Sequence, residues 1–94
     1  MTSVRFLFPA GIREAPSSPG IYLLYHGGEL LHVWHTDNLR DELTRMLLVY
    51  RNPSRRATHF AYEEIPDEKL RRQQAMEMVQ LLRPTTQAFE GTSE

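Results

Sequence analysis

The sequence predicts one small α+β domain, a three-stranded antiparallel sheet flanked by helices, with a short N-terminal run available as a fourth, edge strand. Three observations lead there. Two runs rich in β-branched, aromatic and aliphatic residues, 20–25 and 29–34, are separated by Gly27-Gly28 and read as a hairpin. A third such run spans 58–65, and two segments of helical period follow the hairpin and that strand in turn. With 94 residues there is room for a single unit, which at this size buries only about 60 to 65% of the surface its unfolded chain exposes.

Along the chain, residues 1–15 carry one apolar run, 4–8, broken by Pro9, Gly11 and Pro16, and are read as an arm able to add an edge strand. Residues 16–87 form the domain proper, and 88–94, polar and unpatterned apart from Phe89, a frayed tail. The hairpin loop decides which side chains share a face. A two-residue loop at Gly27-Gly28 pairs Tyr22 with Val33, whereas a three-residue loop from His26 to Gly28 pairs Tyr22 with His32. The second is favoured, which puts Ile21, Leu23, Tyr25, Leu31 and Val33 on one face and Tyr22, Leu24, Leu30, His32 and Trp34 on the other.

Thr36 and Asp37 offer capping oxygens to a first long helix, in which Leu39, Leu43, Met46, Leu47 and Tyr50 follow the spacing i, i+4, i+7, i+8, i+11. Asn52-Pro53-Ser54 ends it. After the third strand, Pro66 and Asp67 suit the first turn of a second helix running to about Leu82, with Ala75, Met78, Val79 and Leu82 on one stripe and Pro84 as the stop. The acidic run Glu63, Glu64, Asp67 and Glu68 complements that helix's dipole.

Composition narrows the function. The absence of cysteine removes disulfides, thiolate metal sites and thiol nucleophiles together. A net charge of −1 gives no global basic surplus for phosphate neutralisation, although Arg51, Arg55, Arg56, Arg71 and Arg72 are dense; a solvated surface is the plainer reading of them. No segment approaches the roughly 20 apolar residues of a membrane span, and 4–8 is too short for a signal-peptide core, so a cytoplasmic location without membrane contact is expected.

Pro19-Gly20-Ile21-Tyr22, then His32-Val33-Trp34, then Thr36-Asp37-Asn38-Leu39 opening a helix, and finally Leu81-Leu82-Arg83-Pro84 form an ordered set. That set resembles the GIY-YIG nucleases over roughly residues 16–87. The resemblance implies metal-dependent phosphodiesterases, in which two motif tyrosines share a cleft with an arginine from the first helix and a metal-binding glutamate from the second. Such a reaction needs the metal to neutralise charge growing on the phosphate while a cation and a base help the attacking water.

Carried over position by position, the first tyrosine is Tyr22 and the second falls at His32, whose imidazole still suits acid–base work. The glycine of the second tripeptide falls at Trp34, expected to fill the cleft. The arginine position is Glu42, a reversal of sign, and the metal glutamate position is Ala75. Arg40 and Arg45 lie nearby in sequence but off the required position, and the asparagine that often follows the proline is Gln87. These departures assume that residues 42 and 75 face one shared cavity.

The expectation is therefore a degenerate, non-catalytic member of the fold that holds no metal or cofactor and binds a protein partner through Tyr22, His32 and Trp34. Two alternatives remain: nucleic-acid binding without cleavage, carried by Arg51, Arg55 and Arg56, and a divergent metal-dependent endonuclease with a relocated site at Tyr22, His32, His35 and Glu42. His32, His35 and Asp37 also invite a zinc or nickel reading, for which no fourth ligand is apparent. Tyr22, Trp34, Tyr25 and Phe60 have two readings, an aromatic platform for stacking bases and, more plainly, core packing, and a polar surface is the plain account of His26 and His59. The partner's identity and the oligomeric state are not legible.

Overall fold

The computed structural model describes residues 5–6, 9–49 and 57–84. Its elements are β1 (Arg5–Phe6), α1 (Pro9–Ile12), β2 (Gly20–His26), β3 (Glu29–Thr36), α2 (Leu39–Val49), β4 (His59–Glu64) and α3 (Glu68–Leu82). The sheet runs β1-β4-β2-β3 with every neighbouring pair antiparallel. The fourth strand therefore exists, supplied by the arm. The same arm brings Ile12 and Ala15 into the core, so the segment 9–15 is packed onto the domain. Expectations for Tyr50, Arg51, Arg55, Arg56, Gln87, Phe89 and the 88–94 tail lie outside the described residues.

Strand alternation sorts the core into two layers. Tyr22, Leu24, Phe60 and Tyr62 pack with Leu39 and Leu43 of α2 and with Ile12 and Ala15. Ile21, Leu23, Val33, Ala61 and Ile65 pack with Ala75 of α3, flanked by Met78 and Val79. Helices thus cover both faces of β2, which explains why its sequence is apolar without alternating. Burying side chains of this size contributes about 1.5 to 3 kcal/mol each.

The hairpin register differs from both loop schemes. The turn is the two-residue one, with His26 opposite Glu29 and Tyr25 opposite Leu30, but a bulge then advances β3 by one residue. As a result Tyr22 faces Trp34, Leu24 faces His32 and Leu23 faces Val33. Tyr22, Leu24, His32 and Trp34 stay together as expected, while Leu30 moves to the opposite layer, beside Tyr25. Gly27, at φ 58°, takes the left-handed conformation that the turn requires.

Capping also differs in detail. Asn38, rather than Thr36 or Asp37, caps α2: its Oδ1 accepts from the Asp41 amide at 3.0 Å. The next orphan donors, the amides of Leu39 and Arg40, reach the carbonyls of Ser18 and Pro16 at 2.9 and 3.1 Å. Asp67 caps α3 as expected, accepting from Lys69 and Leu70. Arg83 ends that helix in the left-handed conformation, and its amide donates to the Val79 carbonyl. Leu82 is half exposed and Pro84 buried, so the stripe of α3 ends before Leu82.

Gly20 is fixed by a close approach. A Cβ there falls 2.3 Å from the Glu63 carbonyl oxygen and 2.7 Å from Leu39 Cδ1. Only glycine lets β4 and the start of α2 meet the first residue of β2, which positions Tyr22 two residues on. Among the described residues no helix is long and apolar enough to cross a membrane.

Candidate functional site

Tyr22 projects from the central strand into the α2 layer and is buried. Its hydroxyl donates to Glu42 Oε2 at 3.3 Å. The other oxygen of Glu42 accepts from the guanidinium of Arg45, one turn along the helix. That hydrogen bond and ion pair raise the Arg45 pKa further, so the side chain stays cationic while two-thirds exposed. Arg45, expected to lie off the site, is thus linked to Tyr22 through the carboxylate of Glu42. Both partners are used internally: the carboxylate holds the phenol on one side and neutralises the guanidinium on the other.

His32 lies beside Tyr22, with ring centroids 5.8 Å apart, and is itself buried. Desolvation lowers its pKa to about 4, so the imidazole is neutral near neutral pH. Tyr22 and His32 are therefore covered by their own domain, and of the three residues expected to form a binding patch only Trp34 reaches the surface, at 39% exposure. Trp34 does not fill the interior. It belongs to neither apolar cluster, and its indole tilts against the ring of His35 at 4.8 Å.

Residues 42 and 75 do not share a cavity. Ala75 is fully buried in the Ile21–Leu23–Val33 layer, whereas Glu42 contacts Tyr22 in the other. The cause is α3 packing against one face of the sheet and α2 against the opposite one. His32 and His35 separate for a similar reason: His32 pairs across to Leu24 and His35 to Ile21, on opposite faces of the hairpin. Of the relocated set, Tyr22, His32 and Glu42 come together and His35 does not. Among the described residues no group of three histidine or acidic side chains is arranged to hold a metal ion.

Arg40 is also accounted for. Its Nε donates to the Ala15 carbonyl at 2.8 Å and its Nη2 to that of Arg13 at 3.1 Å, tying the arm to α2. A groove of about 460 Å³ at the C-terminal end of α3, lined by Val79, Gln80, Arg83 and Pro84, includes none of Tyr22, His32, Trp34, Glu42 and Arg45.

The residue that sequence reasoning missed is Arg71. Read with Arg72 as part of a solvated surface, it is instead buried, with Nη1 donating to the carbonyls of Ile65 and Pro66 at 3.1 and 3.3 Å. Its Nη2 donates to Asp37 Oδ1 at 2.8 Å. The signal was present, since Arg71 stands four residues before Ala75 and seven before Met78, on the buried stripe. His35 is affected as well: burial first, then the charges of Arg71 and Arg72, hold its pKa below the usual value against the opposing pull of Asp37 and Glu68.

No protein-family model and no curated protein matches the sequence. Solved structures do match. The magnesium-bound GIY-YIG N-terminal endonuclease domain of UvrC from Thermotoga maritima superimposes with a TM-score of 0.70 at 17% identity, covering 84% of this chain and 98% of that one. A point mutant of that domain, bound to its catalytic divalent cation, matches at the same score and identity over 97% of its length. This chain therefore has the GIY-YIG fold.

Proposed function

Starting from that fold, we propose that the chain is a GIY-YIG-like module that does not cleave nucleic acid and acts in protein interaction or assembly. The observation that carries this reading is the closed set Tyr22–Glu42–Arg45. Where the resemblance calls for a cation facing the phosphate, a carboxylate stands, with one oxygen on the chain's own phenol and the other on its own guanidinium. An incoming phosphodiester meets there a carboxylate already paired with its own guanidinium, not a free cation.

Burial supports the same reading. Tyr22 and His32 lie inside the domain, while Ala75, on the opposite face of the sheet, bears on neither reading. The surface residue of the old motif is Trp34, and half-exposed aromatic side chains are what interface centres use. The divergent-endonuclease reading draws on the assembly of Tyr22, His32 and Glu42, but it requires a buried set to open. The nucleic-acid-binding reading rests on Arg51, Arg55 and Arg56.

The test is affinity capture from the protein's own cells with the wild-type chain and a Trp34→Ala variant, alongside a salt titration of binding to generic DNA and RNA. A stoichiometric protein partner lost on Trp34→Ala, with no salt-dependent nucleic-acid binding, is the expected result. Nucleic-acid affinity that falls steeply with salt, with no protein partner recovered, overturns it.

A further inference from the structure

The outward side of α3 carries apolar side chains that the domain does not cover. Leu70 is 44% exposed, Leu81 80% and Leu82 49%, and Met78 between them is half-buried. At about 100° per residue, Leu70, Gln74, Glu77 and Leu81 fall within about 60° of one another and form a stripe along the helix. Met78 and Leu82 flank that stripe on the side nearer the sheet, Gln73 and Gln80 on the solvent side.

The cations of α3 lie elsewhere. Lys69, Arg72 and Arg83 fall on the other flank of the helix, with Met76 and Val79, and Arg71 is buried beneath on the carbonyls of Ile65 and Pro66. Glu77 is the charged residue of the stripe, and within the helix it is reached by Gln73 at 3.5 Å, the long limit of a hydrogen bond. An exposed apolar strip from which charge is depleted has the composition of an interface centre.

We propose that α3 pairs with α3 of a second copy of this chain, antiparallel, about a twofold axis at the level between Ala75 and Met76. The stripe reads the same from either end: leucine, polar, polar, leucine. Antiparallel pairing about that axis sets Leu70 against the partner's Leu81 and Gln74 against the partner's Glu77, each contact occurring twice by symmetry. Each Glu77 carboxylate then accepts from a Gln74 amide, so the polar centre is satisfied across the contact. Parallel pairing of the same stripes sets Glu77 against Glu77 and is opposed by like charge. The occupant is a second copy because the match is internal to the stripe, which needs no other sequence to complement it. One crossing of two such helices buries less than about 1,200 Å², the size of weak contacts, so the dimer is concentration-dependent, with a dissociation constant on the order of 100 μM. The contact lies in the α3 layer, on the opposite side of the sheet from Tyr22 and Glu42, and stands apart from the reading of the old motif.

The test uses the full chain, whose lack of cysteine makes single introduced cysteines specific reporters. Sedimentation velocity from about 10 μM to about 1 mM should show the mass rising from 11.0 kDa towards twice that value. Leu81→Glu, at the most exposed of these leucines, should leave the circular dichroism unchanged and weaken association at least about ten-fold, and Leu70→Glu should do the same. Leu70→Cys and Leu81→Cys chains, mixed and oxidised, should cross-link to each other faster than either does to itself. The antiparallel arrangement brings the two unlike positions together and leaves like positions roughly 16 Å apart along the axis, too far for a disulfide.

A wild-type chain that stays monomeric at about 1 mM overturns the inference, as does self-association that both glutamate variants leave unchanged. Each cysteine variant cross-linking with itself in preference to the mixture overturns it as well, since the helices would then run parallel. The two readings are separable: a monomeric chain removes this contact and leaves the proposed function standing, and nucleic-acid cleavage by the chain removes the proposed function and leaves this contact.

Discussion

The Tyr22 hydroxyl donates to the carboxylate of Glu42 across the interface between β2 and α2, at 3.3 Å, and this contact occupies the place where the resemblance sets a catalytic arginine. The pair behaves as a half-buried structural hydrogen bond between a phenol and a carboxylate. Tyr22→Phe and Glu42→Gln should each destabilise the domain by about 1 to 2 kcal/mol. In a double-mutant cycle read by urea unfolding, the two should show a coupling of about 1 kcal/mol. Additive effects would mean that the contact contributes nothing.

His32 makes stability depend on pH. Its folded pKa, about 4, lies below the ordinary 6.5, so the unfolded chain takes up a proton first as the solution is acidified. Its contribution is fully present above pH 6.5 and is lost as pH falls toward 4, by as much as about 3 kcal/mol. His32→Phe should flatten that part of the profile. Thermal unfolding of both proteins at neutral pH and near pH 4.5 measures it, and an unchanged slope in the variant would count against a buried neutral imidazole.

Ala75→Glu restores the residue type that the resemblance expects, but at a fully buried position in an apolar layer. An unpaired carboxylate there should destabilise by about 3 kcal/mol or more and create no magnesium site. Circular dichroism melts and magnesium calorimetry decide it. A stable variant that binds magnesium would show that this face of α3 opens to solvent.

Arg71→Ala removes a side chain that satisfies two backbone carbonyls and anchors Asp37. The expected loss is about 3 kcal/mol, because buried acceptors are left without donors. Asp37→Ala should cost about 1 kcal/mol or less, since solvent reaches the vacated position. Denaturant midpoints of the two variants give the comparison, and equal losses would contradict this account of the pair.

The sheet, its helices and their order were legible because each signal was local: β-rich runs around Gly27-Gly28, an apolar period from Leu39, a capping Asp67. Register was not, because the turn has two residues and a bulge at Leu24/Tyr25 then shifts the pairing, and no count of loop residues reveals a bulge. Arg71 was misread because charge was weighed before periodicity; its place on the buried stripe of α3 was visible all along. The separation of Glu42 from Ala75 needed the layer order of the helices, which depends on which sheet face each helix covers.

The central claim, that this fold has lost its phosphodiesterase chemistry, is met most directly by incubating excess purified chain with single-stranded, duplex and branched DNA and with RNA, in magnesium and in manganese. The account predicts no cleavage above that of a parallel Tyr22→Phe preparation. Metal-dependent cleavage by the wild-type chain that disappears in Tyr22→Phe would contradict it.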